Sequence, residues 1–225
     1  MLAVTSGWRN FISTLARRTN SLAFRVIAFS TIWALVAMVV IATIISALFR
    51  QASDNGFESL LTAHLFNLIS SVGVTEDGAL MGAPNLGDMR FTVPRSGWYW
   101  VVEPVSGVSG RLASLSLAEP IASPPPGEVP FNDQFQRSYI SDGLAGEVIE
   151  VFESEFVLDQ DNRVARFRVM GNRTELEADV AAFDSKLYLY LTLFGAGMIA
   201  INALAILIGL TPLGRVRQSL AEIRT

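Results

Sequence analysis

The sequence has no cysteine and a single histidine among its 225 residues. The first absence excludes disulfide frameworks, thiolate catalysis, cysteine-ligated zinc and iron–sulfur clusters, while leaving the redox compartment open. The second removes histidine-rich metal sites. Charge is scarce too: Asp, Glu, Lys and Arg make up 17% of the chain, against 51% hydrophobic residues. Ordinary soluble domains carry about 25% charged residues, and disordered chains carry far less apolar mass. The composition points to lipid. Nor is there a P-loop, a glycine-rich dinucleotide turn, a Ser/His/Asp set or a metal triad, so no catalytic, cofactor-binding or metal-ligating residue is assigned, and no nucleic-acid partner is expected.

What is present is concentrated. Residues 26–49 (Val26 to Phe49) hold no charge, and neither do residues 187–211 (Leu187 to Thr211). At 1.5 Å per residue each makes about 36 Å of helix, enough for roughly 30 Å of hydrocarbon. The first stretch is far longer than the apolar part of a cleaved signal peptide, and Ile45-Ser46-Ala47 is a poor cleavage site, so it reads as an uncleaved anchor. Residues 1–25 carry Arg9, Arg17, Arg18 and Arg25 without an acid, and residues 212–225 carry Arg215, Arg217 and Arg224 against Glu222. The positive-inside rule puts both basic ends in the cytoplasm. Residues 50–186 then form a domain-sized stretch outside.

That external stretch has a readable order. Gly56 to Ser71 spaces Phe57, Leu60, Leu61, Leu65, Leu68 and Ile69 as an amphipathic helix continuing the first span. Gly97 to Glu103 is rich in aromatic and β-branched residues and predicts a strand ending at Pro104; Ser106 to Gly110 is a turn, and Arg111 to Leu117 a second strand pairing back. Ala122 to Pro130, with Pro124-Pro125-Pro126, reads as an extended surface loop. Gly146 to Leu158 and Arg163 to Met170 predict a second hairpin whose turn sets Glu155 against Arg166, Glu153 against Arg168 and Val157 against Val164 on one face. Phe156 then opposes Ala165 and Phe152 opposes Val169 on the other. Glu175 to Ser185 is a helix entering the second span. Helix, two hairpins and helix between two spans is the order expected of a PAS-like sensor domain in an α+β membrane protein.

Several residues invite chemistry. Glu147, Glu150, Glu153, Glu155, Asp159 and Asp161 form an acidic run that would suit a divalent cation, but the hairpin register already gives two of them an arginine, and Asp159 and Asp161 are ordinary turn residues. His64 lies on the external helix, away from ATP, and reads as a packed or solvated side chain rather than a phosphoacceptor. Trp98, Tyr99 and Trp100 are candidates to face a ligand or headgroups, although alternating strand aromatics more often fill a core. In the second span Ala196 and Ala200 make a small-xxx-small pair and Asn202 is a strong polar group in lipid; all three are candidate contacts of a homodimer.

After the second span, Pro212 precedes Leu213, Val216, Leu220 and Ile223, spaced 3, 4, 3, as in a coiled-coil seam. The run Pro-Leu-x-x-Val-x-x-x-Leu-x-x-Ile-Arg resembles the opening helix of a HAMP linker. The segment Pro94-x-Ser96-Gly97-Trp98-Tyr99-Trp100, with Pro124-Pro125-Pro126-Gly127-Glu128, is similar to periplasmic regions of Gram-negative two-component sensor histidine kinases. The resemblance implies an inner-membrane homodimer sensing a periplasmic stimulus, and Pro212, Leu213, Val216, Leu220 and Ile223 as transmission residues. It further implies that the chain is a fragment of an intact parent whose kinase domain, using ATP and Mg, would autophosphorylate and pass phosphate to a response regulator. A chemoreceptor or cyclase-type receptor could share this portion, and a membrane-anchored binding module could share its topology.

Overall fold

The computed structural model describes residues 22–209. These form an α+β protein with two long apolar helices and a small sheet domain between them in sequence. Helix α1 spans Leu22–Ser71. A two-residue hairpin follows, β1 (Gly73–Val74) with β2 (Leu80–Met81), then a 3₁₀ turn over Met89–Thr92. The main strands are β3 (Tyr99–Ser106), β4 (Leu112–Ala113), β5 (Gln136–Asp142), β6 (Val148–Val157) and β7 (Val164–Asn172). Helix α2 runs Arg173–Gly209. The described residues divide into a two-helix unit, 22–48 with 183–209, and a sheet unit, Phe49–Ala182.

Both helices contain a stretch long and apolar enough to cross a membrane. Phe29, Trp33, Val39, Leu193 and Phe194 are exposed on them. A helix apolar all round needs an apolar surrounding.

The sheet unit holds five antiparallel strands in the order β4-β3-β7-β6-β5. The β6–β7 hairpin has the register that side-chain chemistry requires: Val157 faces Val164, Glu155 faces Arg166 and Glu153 faces Arg168. Its turn closes through Asp159, whose Oδ1 accepts from the amides of Asp161 (3.0 Å) and Arg163 (3.2 Å), with Asn162 taking the left-handed conformation at φ 56°.

The first hairpin differs from expectation. β3 extends through Pro104 to Ser106 and takes β7 as its main partner, and the expected strand Arg111 to Leu117 keeps only two ladder residues. The reason lies in two serines. Ser114 Oγ accepts from the Trp100 amide (3.1 Å) and Ser116 Oγ donates to the Trp98 carbonyl (2.6 Å), so hydroxyls replace ladder bonds where the chain turns away.

The core lies on both sheet faces. On one, α1 lays Phe57, Leu61, Leu65 and Leu68, with Val72 just past its end, over Trp98, Trp100, Val102, Phe167 and Val169. The helical spacing 4, 4, 3 is one face; Leu60, expected on it, is 37% exposed. On the other, Tyr99, Val101, Ile149, Val151 and Met170 pack with Leu117. Gly171 permits the close approach of α1: a Cβ there would sit 2.7 Å from Phe57 Cζ and 2.8 Å from Leu61 Cδ2.

Replacing Gly171 with alanine therefore overpacks the interface, and we expect a loss of about 1–3 kcal/mol in unfolding of the detergent-solubilised chain followed by circular dichroism. Gly127→Ala, where a Cβ meets nothing within 4 Å, serves as the neutral control.

Candidate functional site

Two places in the sheet unit gather polar chemistry. The first is the junction where α2 begins. Asn172 caps the helix, its Oδ1 accepting from the Glu175 amide at 3.0 Å. This starts α2 two residues before the expected Glu175. Trp98 Nε1 donates to Glu175 Oε2 at 2.9 Å, while the indole packs edge-on against Phe57 of α1 (centroids 5.5 Å) and Phe91 of the 3₁₀ turn (6.1 Å). The Arg90 guanidinium lies 3.7 Å from the Trp98 ring centroid, a cation–π arrangement. Arg173 pairs with Glu150 of β6 at 2.6 Å and, more loosely, with Asp54 of α1 at 3.8 Å. One indole and one arginine thus tie α1, the sheet and the first turn of α2 together.

The second place is the charged half of the sheet face away from α1. Period two puts Glu103 of β3, Arg137 and Tyr139 of β5, Glu153 and Glu155 of β6, and Arg166 and Arg168 of β7 on that face. Glu153 is fully buried. Its carboxylate takes Arg137 at 2.8 Å, Arg166 at 3.1 Å, Tyr139 Oη at 2.8 Å and Ser123 Oγ at 2.9 Å. Arg166 also holds Glu155 at 2.6 Å. Arg168, although opposite Glu153 in the ladder, pairs with Glu103 instead. Long side chains reach diagonal neighbours across a sheet as readily as direct ones.

The proline-containing segment fastens to this face. Arg137 donates to the carbonyls of Val129 (2.7 Å) and Pro124 (3.0 Å), and Arg168 to that of Ile121 (2.9 Å). Ala122 to Pro130 is a surface loop, as expected, with most of its residues exposed; buried Arg137 straps it to the sheet, and Arg168 holds Ile121 just before it.

Each acid of the run from Glu147 to Asp161 is engaged. Glu147 accepts from Tyr99 Oη at 2.7 Å, Glu150 from Arg173, and Asp159 and Asp161 face Arg163. Among the described residues no group of three His, Asp or Glu is placed to hold a metal ion. Burial and the adjacent Glu147 push the Tyr99 hydroxyl up to about 12. Burial is also the main cause raising Tyr139, with the Glu153 carboxylate adding to it.

Of the candidate ligand-facing aromatics, Trp98 and Trp100 lie in the core under α1, and Tyr99 in the core on the opposite face; all three are at most 8% exposed. In the two-helix unit, Asn202 Nδ2 donates to Thr31 Oγ1 at 2.8 Å, giving its amide a partner within the same chain. Ala196 and Ala200 are exposed. The small residue at the helix–helix contact is Gly195, where a Cβ would meet Leu35 at 3.4 Å. Ser46 Oγ donates to Asp184 at 2.6 Å. Pro212, Leu213, Val216, Leu220 and Ile223 lie outside the described residues.

No family model, curated protein or solved structure matches the chain.

Two outcomes follow for this region. Glu153→Ala strands Arg137 in the interior and should cost about 3–5 kcal/mol, whereas Asp161→Ala, whose carboxylate is 75% exposed and 3.7 Å from Arg163, should change stability by under about 0.5 kcal/mol. Unfolding curves of the two variants measure the contrast. Because Tyr99 holds its proton to about pH 12 when folded but only to about pH 10 when unfolded, the folded state binds more protons between these values. Stability should fall as pH rises from 10 to 12, and Tyr99→Phe should flatten that part of the profile.

Proposed function

We propose that the chain is the sensory and transmitting portion of a membrane receptor, specifically of a two-component sensor histidine kinase. In this reading residues 26–49 and 187–211 span the inner membrane, residues 50–186 form a periplasmic PAS-like sensor, and Pro212 opens a HAMP linker beyond which the kinase lies. The observation that carries the reading is that each long helix includes both an apolar stretch and a segment bound to the sheet unit. Helix α1 is continuous over Leu22–Ser71, and α2 over Arg173–Gly209. A PAS-like domain asks for a small antiparallel sheet with a helix across one face, and the sheet unit has both.

The mechanism follows from the junction. A stimulus that favours one packing of the sheet unit alters the contacts of Trp98, Glu175 and Arg173, and with them the first turn of α2. Transmission is a population shift between two packings. It requires the stimulus to bind them with unequal free energy, about 1.4 kcal/mol for each tenfold change in their ratio. A homodimer contact through Ala196 and Ala200 would let the shift reach a second chain.

The coding sequence after Thr225 provides the first test. A second HAMP helix, a helix bearing a phosphoacceptor histidine and an ATP-binding domain are expected. A methyl-accepting or cyclase domain would reassign the chain to another receptor class, and a stop codon would remove signalling altogether. In the parent protein, Glu175→Gln should shift the ligand-free level of autophosphorylation, and unaltered autophosphorylation would contradict the junction's role.

A further inference from the structure

His64 is the only histidine in the sequence and has no part in the contacts described so far. It sits on the sheet side of α1 between the core residues Leu61, Leu65 and Leu68, 7% exposed. Neither ring nitrogen has a hydrogen-bond partner. Its ring stands edge-to-face on Phe91, with centroids 5.3 Å apart. A neutral imidazole left unpaired in a core forgoes two hydrogen bonds, one as donor and one as acceptor, whereas an imidazolium there must find a carboxylate or leave.

The charged groups acting on His64 are Asp88 and Arg90, opposite in sign and both at the 3₁₀ turn. The sheet beneath this part of α1 presents aromatic and aliphatic side chains, and Glu58 on α1 is exposed. Asp88 is already committed. It caps the turn by accepting from the Arg90 amide at 2.9 Å, and it holds the Arg90 guanidinium at 2.6 Å. Arg90 in turn lies on Trp98 and approaches Glu175 of α2 at 3.7 Å. Any new demand on Asp88 therefore falls on contacts that lead to the α2 junction.

We infer that His64 is an acid-operated latch: protonation of its buried imidazole releases the turn over Asp88 to Val93 from α1. The imidazolium either draws Asp88 away from Arg90, uncapping the turn, or swings out of the core and takes the Phe91 contact with it. Both routes loosen the same segment. Burial is the first cause holding the His64 pKa below its usual value; Asp88 opposes this and Arg90 adds to it. With a folded pKa below the unfolded one of about 6.5, the unfolded state binds more protons in the window beneath pH 6.5. The latch is closed above that value and weakens as pH falls through the window. This device belongs to the sheet unit and does not require a kinase downstream.

The test uses the full chain in lipid nanodiscs, carrying ¹³C-labelled histidine and purified without a histidine tag, so one imidazole signal reports on one residue. The midpoint of that signal should lie below pH 6.5. Hydrogen exchange at residues 88–96, corrected for the intrinsic pH dependence, should rise at least tenfold between pH 7.5 and 5 with the same midpoint. In His64→Phe that rise should vanish. A midpoint at or above 6.5, exchange in the wild-type chain that does not follow the imidazole, or an unchanged rise in the variant would each overturn the latch. If His64→Phe does not fold, agreement or disagreement of the two wild-type midpoints decides alone.

Discussion

The sheet unit depends on one packing event, the seating of α1's apolar face on the sheet over Gly171. Five side chains from Phe57 to Val72 fill the space above Trp98, Trp100, Phe167 and Val169, and burying side chains of this size contributes about 1.5–3 kcal/mol each. The junction inherits its order from this contact. Trp98 is fixed by Phe57 on one side and Phe91 on the other, and only in that position does its indole nitrogen meet Glu175 at the start of α2.

The far face of the sheet uses different physics. Its apolar half packs on Leu117, but its other half is a lattice of arginines and glutamates whose centre, Glu153, is out of reach of water. Such a lattice adds little net stability over an apolar equivalent, yet it is unforgiving of a missing member. What it contributes is definition. Carbonyls of Ile121, Pro124 and Val129 are held by Arg168 and Arg137, so a proline-containing segment without regular structure follows one path across the sheet.

Much of this was legible in the sequence wherever a side chain's chemistry matched its periodicity. The two apolar stretches were visible by length alone, and the β6–β7 register could be read because only one pairing places Glu155 opposite Arg166 and Phe152 opposite Val169. Strand β5 was not legible. Its most buried residue is Arg137 rather than a hydrophobe, so the alternation of QRSYISD has the polarity of a surface segment. The expected strand Arg111 to Leu117 failed for a related reason, since Ser114 and Ser116 bond to the sheet through hydroxyls that mimic a ladder. Glu153 pairs with Arg137, which faces it from β5, a strand the sequence did not reveal, and Arg168's choice of Glu103 is a diagonal preference that the β6–β7 facing register does not encode. The aromatic run was recognised, but its division between two cores, and the tie from Trp98 to Glu175, required the sheet order.

These features make a unit in which both long helices are bonded to one sheet, and they are the reason for reading the chain as a receptor rather than as an anchor with a passenger. That reading stands or falls on where the sheet unit lies. Because the sequence has no cysteine, single cysteines introduced at Thr5, Gly127 and Thr225 can be probed in intact cells with a thiol reagent that does not cross the inner membrane. The account predicts labelling at Gly127→Cys alone, with the other two reacting only after lysis. Labelling of just one of the two terminal positions in intact cells, or protection of Gly127→Cys, would contradict it.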